Sequence, residues 1–239
     1  MQLTPSLHRI GNDLVAAYLI VQAEGITVVD AGLPGHWGEL LATLTELGRS
    51  PADLRGLILT HGDSDHLGFA ERLRREHGVP LFIHEADAER ARGGPKPKTP
   101  GQSLRLGPTL GFLGYSARKG GLRTRWITEA RELVGGETLD LPGSPRILSI
   151  PGHSPGSIAV HAPAADAVFV GDALTTRHVL TGARGAQPAP FTDEPQRALD
   201  SLQAIAETGA RWVLPGHGAP WDGGAERAVE AVRRAAKEQ

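Results

Sequence analysis

Four side chains able to bind a metal fall within six positions where an apolar run ends: LILTHGDSDHLG supplies His61, Asp63, Asp65 and His66. Three more stand in comparable places, each beside glycine or proline after an apolar stretch: His153 in IPGHSPGS, Asp172 in VFVGD and His217 in VLPGHG. Imidazole and carboxylate are the ligands that suit zinc, iron or manganese. Any one of these residues alone reads as a surface or hydrogen-bonding group. Seven of them at the ends of apolar runs, beside glycines that permit tight turns, read as a single metal-binding site.

Elements must exist to bring these segments together. Short β-branched and apolar runs at Val15 to Val21, Ile26 to Asp30, Leu57 to Thr60, Leu81 to His84, Ile147 to Ile150, Ile158 to His161, Val168 to Val170 and Trp212 to Leu214 have the character of strands. Helical spacing appears in Leu40, Leu41, Leu44 and Leu47, around Phe69 and Leu73, in Leu199, Leu202, Ile205 and Ala206, and in a terminal amphipathic stretch from Ala225 to Lys237. Strands and helices alternate along the whole chain, which predicts sheets covered by helices. The 239 residues fit one domain, residues 1–239. Residues 85–143 break the rhythm with GGPKPKTPG, LGFLGYS and KGG, and read as an insertion or lid with short helices, one of them expected around Trp126 to Leu133.

Composition narrows the chemistry. There is no cysteine, which excludes disulfides, thiolate nucleophiles, iron–sulfur clusters and cysteine-type zinc sites. The N-terminus lacks a basic start followed by a long apolar core, so no secretory signal is expected and a cytoplasmic location is. Leu14 to Val21 is far shorter than the roughly 20 residues that cross a bilayer, so no membrane partner is expected. The formal charge of −2 is uneven: Arg90, Arg92, Lys96, Lys98, Arg105, Arg118, Lys119, Arg123 and Arg125 lie in a stretch from Arg90 to Thr128 without an acid. That stretch carries +9 and the remainder −11. It reads either as a solvated or acid-docked insertion or as a basic lid that recruits anionic substrates.

Most of the chain resembles the metallo-β-lactamase superfamily. Its members carry a His-x-His-x-Asp-His run, then a distant His after Gly, an Asp after a strand and a final His; His61, Asp65, His66, His153, Asp172 and His217 match these places. Asp30 in VVDAG matches a family position that supports the metal loop. The resemblance implies an α/β, four-layer αβ/βα sandwich with the site at one edge of two facing sheets. It also implies two divalent metal ions, zinc first and manganese or iron as alternatives. One ion would use His61, position 63 and His153, the other Asp65, His66 and His217, with Asp172 bridging. Two ions about 3.5–4 Å apart can share a hydroxide and polarise the substrate. Asp65 is the expected catalytic residue, orienting that hydroxide and handling its proton.

The departure is Asp63, where the family has His. It is either a loop residue, leaving a weak first site, or a hard anionic ligand; the intact spacing favours ligation. Three carboxylates and one hydroxide would then offset two divalent ions, giving weaker Lewis acids than the usual site. The expected function is hydrolysis of a small carbonyl substrate, a lactone, thioester, ester or amide, by metal-bound hydroxide. The alternatives are a phosphodiesterase, an iron-dependent redox enzyme and a non-catalytic binding protein on the same fold. A small molecule is the expected partner and nucleic acid is not; the sequence does not define an oligomeric state. His36, Trp37, His84 and His178 could line the cavity, but local hydrogen bonding and packing are the roles expected of them. Leu110, Phe112, Leu113, Tyr115 and Trp126 could form an apolar wall or simply pack the insertion, with the Tyr115 hydroxyl a candidate donor to an oxyanion.

Overall fold

A computed structural model describes residues 1–97, 99 and 103–238; Lys98, one of the nine cations of the basic stretch, lies outside them. The first half of the chain forms β1 (Gln2–Thr4), β2 (Leu7–Gly11), β3 (Ala16–Gln22), β4 (Gly25–Val29), α1 (Trp37–Glu46), β5 (Leu54–Ile58), α2 (Ala70–His77), β6 (Leu81–His84), α3 (Glu85–Ala91), α4 (Leu106–Arg118) and β7 (Arg131–Leu133). The second half forms β8 (Arg146–Ser149), β9 (Ile158–Ala162), β10 (Ala167–Gly171), β11 (Thr175–Arg177), β12 (Arg184–Gln187), α5 (Pro195–Ala206), β13 (Trp212–Pro215) and α6 (Ala225–Lys237).

Seven strands make one sheet in the order β1-β2-β3-β4-β5-β6-β7, and four make a second in the order β13-β10-β9-β8. Both sheets bury both faces, and alternation along single strands shows why. In β3, Ala17 and Leu19 join Leu40, Leu44, Leu73 and Ala88 beneath α1, α2 and α3, while Tyr18 and Ile20 point to the other face, among Ile147, Val160 and Phe169 of the second sheet. In β10, Phe169 joins this middle layer, whereas Val168 and Val170 pack with Leu202, Ile205, Val229 and Val232 of α5 and α6. Three apolar layers therefore separate helix, sheet, sheet and helix, the α/β four-layer sandwich that the pattern implied. Each fully buried Leu or Ile adds about 1.5–3 kcal/mol.

The expected strands and helices outside residues 85–143 are present, with ends shifted by a few residues. The helix expected at Trp126 to Leu133 is absent. Arg131–Leu133 instead extends the first sheet, pairing in parallel with β6 (Phe82 opposite Arg131, His84 opposite Leu133), and Leu133 is buried between the sheets. Helix α4 forms although Gly107, Gly111 and Gly114 weaken it, because Phe112 and Tyr115 seat it on Leu14, Val15 and Leu33. Pro108 lies in its first turn, where no helical N–H bond is lost. No helix among the described residues is long and apolar enough to cross a membrane.

Candidate metal centre

All seven predicted residues come from loops that leave the strands at one edge of the sandwich. The run His61 to His66 follows β5, His153 follows β8, Asp172 follows β10 and His217 follows β13. They meet in a buried cluster. His61, Asp63 and His153 form one trio, Asp65, His66 and His217 a second, and Asp172 joins His61 and His66 in a third; within each trio the donor atoms lie within 4.8 Å of one another. Asp172 stands between: its Oδ2 is 3.1 Å from His217 Nε2 and 3.8 Å from His153 Nε2, and its Oδ1 is 3.5 Å from His66 Nε2. Asp65 Oδ2 lies 3.4 Å from His217 Nε2.

Hydrogen bonds behind the cluster aim the four rings. His66 Nδ1 lies 2.9 Å from Asp30 Oδ2 and donates to it. His217 Nδ1 donates to the Leu14 carbonyl. The Thr60 hydroxyl spends its proton on Asp30 Oδ2 and so accepts from His61 Nδ1 at 3.0 Å. The Thr192 hydroxyl spends its proton on the Ala189 carbonyl and so accepts from His153 Nδ1 at 3.2 Å. With every Nδ1 a donor, a neutral ring carries its lone pair on Nε2, and all four Nε2 atoms face inward.

That arrangement fits a metal. Nε2 of His61, His66 and His153 and Oδ1 of Asp172 are buried with no hydrogen-bond partner. Each orphan of this kind costs about 1–3 kcal/mol, and cations held between the Nε2 lone pairs and the Asp172 carboxylate would satisfy them. Glycines leave the room. A Cβ on Gly216 would come 2.4 Å from His66 Cε1 and 2.6 Å from Asp172 Oδ1, and one on Gly171 would come 2.3 Å from Thr60 Oγ1.

The charge distribution also favours cations. Burial works against an imidazolium at His217, yet Asp172 and then Asp65 hold its pKa up at about 9. Burial likewise opposes charge on His66, but Asp30 and Asp172 hold it well above the ordinary histidine value. His61 is driven well below that value by burial and by the neighbouring His66 and His153, which outweigh Asp63 and Asp172. The carboxylates around His66 and His217 thus favour positive charge in the pocket, which a divalent ion can supply.

Asp63 lies beside two of the histidines, with Oδ2 3.6 Å from His153 Nε2 and 3.8 Å from His61 Nε2. It is also paired twice. Arg90 Nε donates to Oδ1 at 2.5 Å and Lys96 Nζ to Oδ2 at 2.5 Å, while Arg90 Nη1 holds Asp193 Oδ2 at 2.7 Å. Despite burial, His153, His61, Lys96 and Arg90 hold the Asp63 carboxyl well below its usual range. The basic stretch is thus partly docked on acids, since Arg92 pairs with Glu132 and Lys119 with Glu39 as well.

Several supporting residues carried no sequence signal. Asp87, fully buried on α3, accepts from Gly62 N and Ser154 Oγ through Oδ2 and from Gly156 N through Oδ1, each at 2.7 Å, tying the His61 loop to the His153 loop. Thr192, Asp193 and the Leu14 carbonyl also act only across the folded structure. Of the possible rim residues, His84 caps α3 through Ala86 N and reaches the Val134 carbonyl, and His178 caps the turn to Thr181. Trp37 stacks on His77 beneath Arg72. The Tyr115 hydroxyl accepts from His36 Nε2 at 2.7 Å. Phe112 does stand over the site, edge-on to His217 with ring centroids 6.0 Å apart, whereas Leu110, Leu113 and Trp126 face solvent.

Known proteins resemble this chain in sequence and fold. The family profile described as the metallo-beta-lactamase superfamily matches residues 10–217. The probable metallo-hydrolase YflN of Bacillus subtilis is 26% identical over 220 residues, covering 84% of this chain and 78% of the relative. The crystal structure of the metallo-beta-lactamase family protein TTHA1429 from Thermus thermophilus aligns over 100% of this chain and 81% of its own, with a TM-score of 0.71 and 25% identity. TTHA1623, solved in a di-iron-bound form, aligns over 94% of this chain and 97% of its own, with a TM-score of 0.64 and 25% identity. From the sandwich, the converging donors and a match spanning most of its length, this chain belongs to the metallo-beta-lactamase superfamily.

Proposed function

We propose that the chain is a metal-dependent hydrolase of a small carbonyl substrate, a lactone, thioester, ester or amide. In this reading His61, Asp63 and His153 hold one divalent ion, Asp65, His66 and His217 a second, and Asp172 is shared. The observation that carries it is the inward set of four imidazole lone pairs, each fixed from behind by a hydrogen bond at Nδ1. When bound, the ions would activate water and polarise the substrate carbonyl.

The chain's own residues supply the rest. Asp65 is the most accessible carboxylate of the set, its side chain 23% exposed against 7% for Asp172 and 9% for Asp63. It is therefore the group placed to take a proton from the attacking water. Phe112 beside His217 offers an apolar wall that excludes bulk water and suits an acyl group better than a highly charged one. Because Arg90 and Lys96 spend their charge on Asp63, neither offers it to a phosphate, which keeps phosphodiester hydrolysis behind carbonyl hydrolysis. We take residues 1–239 as one domain with an insertion or lid at about residues 85–143, to which α4 belongs. The imidazole-rich donor set suits zinc, with manganese or iron as alternatives; the di-iron form of TTHA1623 shows that a related sandwich accepts iron.

Metal analysis of protein purified without added metal, followed by chelation, reloading and a panel of lactones, thioesters and esters, tests the reading. About two ions per chain and turnover that disappears on chelation and returns with metal are expected. His66→Ala and Asp172→Ala should abolish turnover while the fold survives. Near-wild-type turnover by the chelated protein or by either variant would sink the proposal.

A further inference from the structure

Asp63 is set apart from the other acids of the cluster by what stands behind it. Arg90 is only 6% exposed and bridges two carboxylates, Asp63 through Nε and Asp193 through Nη1. Lys96 adds a second cation at Asp63 Oδ2. Two cations and two anions cancel, so Asp63 enters the pocket with His61 and His153 without adding net negative charge. Its Oδ1 is committed to the guanidinium, which leaves Oδ2 as the oxygen facing the two histidines and prevents bidentate ligation.

The same guanidinium braces the opposite wall. Asp193 N donates to the His153 carbonyl at 3.1 Å, and the adjacent Thr192 accepts from His153 Nδ1. Arg90 sits three residues after Asp87 on α3, on the helix face that also fixes Gly62 and Gly156, so its position is set by the scaffold rather than by a surface loop.

We propose that Arg90 is a specificity-determining residue of this pocket: by neutralising Asp63 and blocking its second oxygen, it widens the pocket's preference for zinc over manganese. The inference rests on reading His61, Asp63 and His153 as metal ligands. A free carboxylate is a hard, anionic ligand that favours manganese, whereas one weak oxygen beside two imidazoles leaves the choice to nitrogen, which favours zinc. The charge count that held for a bare Asp63, with its electron-rich metal pair, does not apply once Arg90 and Lys96 are included.

The test is competition between a chromophoric chelator and the protein for Zn²⁺ and for Mn²⁺, with thermal melts to confirm folding. Arg90→Met combined with Asp193→Asn removes one cation and one anion, so the net charge is kept while the second oxygen of Asp63 is freed, and the ratio of Mn²⁺ to Zn²⁺ affinity should rise about tenfold, a typical size for an outer-sphere change. Arg90→Lys keeps the charge and should stay near the wild-type ratio. Lys96→Gln, at a side chain 42% exposed, should move the ratio in the same direction by less, and it is readable even if the buried double variant fails to fold. Equal weakening of both metals in the variants would make Arg90 a structural brace and overturn the proposal while leaving the metal pocket standing. If Asp63→Ala changes neither affinity, Asp63 is not a ligand and the pocket assignment falls with the proposal.

Discussion

Asp30 Oδ2 lies 2.9 Å from His66 Nδ1, and the same carboxylate receives the Thr60 backbone N–H at 2.8 Å and the Thr60 hydroxyl at 2.9 Å. One acid at the end of β4 therefore orients His66 directly and His61 through Thr60. Asp30 adopts a φ of 61°, a left-handed conformation that aspartate tolerates better than most residues. Asp30→Asn should keep the fold and weaken metal binding about 10–100-fold, because the amide cannot serve as acceptor to both partners. Titration with Zn²⁺ checks this, and unchanged affinity would show that the rings are aimed by packing alone.

Asp87 predicts a different outcome, since it touches backbone rather than metal ligands. Its carboxylate satisfies two buried N–H groups and one hydroxyl from two loops. Asp87→Ala should cost about 3 kcal/mol or more of unfolding free energy, given that bonds to a charged acceptor are worth about 1.5–3 kcal/mol and two N–H donors are left unpaired. Denaturant unfolding measures it. A loss below about 1 kcal/mol would mean that water replaces the carboxylate.

The contrast between these acids shows what the sequence could disclose. The alternation that sends Leu19 one way and Ile20 the other is local, and so is the ending of an apolar run in His61 or Asp172; both were legible. Arg90 read as part of a basic run because its partner Asp193 lies 103 residues away, and pairing at that separation leaves no pattern in the chain. Arg131–Leu133 was misassigned for the same reason, being a strand only because β6 lies beside it. Helix α4 was legible only as punctuation, since three glycines masked a helix that Phe112 and Tyr115 fix by tertiary contact.

Gly216 gives a steric prediction. It precedes His217 and packs against both His66 and Asp172, where an added Cβ would approach to 2.4 Å and 2.6 Å. These neighbours are held by Asp30 and by the packed strand ends, so they cannot retreat freely. Gly216→Ala should therefore displace the two donors and lower metal content well below that of the native chain, with a smaller effect on secondary structure. Metal analysis together with circular dichroism separates the two effects; full occupancy in the variant would show that the loop yields.

His36 supplies a pH prediction away from the proposed ligands. Its Nδ1 accepts from Leu33 N at 3.1 Å, so the neutral ring donates from Nε2 to the Tyr115 hydroxyl at 2.7 Å and pins α4 to the body. Burial lowers its pKa from 6.5 to about 4, with Glu39 opposing and Lys119 assisting, while burial raises Tyr115 to about 12 and keeps the phenol neutral. A histidine depressed in the folded state contributes stability above its ordinary value, and that contribution is lost as pH falls from about 6.5 toward 4. Protonation also places a hydrogen on Nδ1, facing the Leu33 donor. The thermal midpoint of the native chain should therefore fall more steeply across this window than that of His36→Gln, even if the variant melts lower at pH 7. Acid loss of metal is common to both proteins and cancels in the comparison, so coincident slopes would show that His36 does not control how α4 is held.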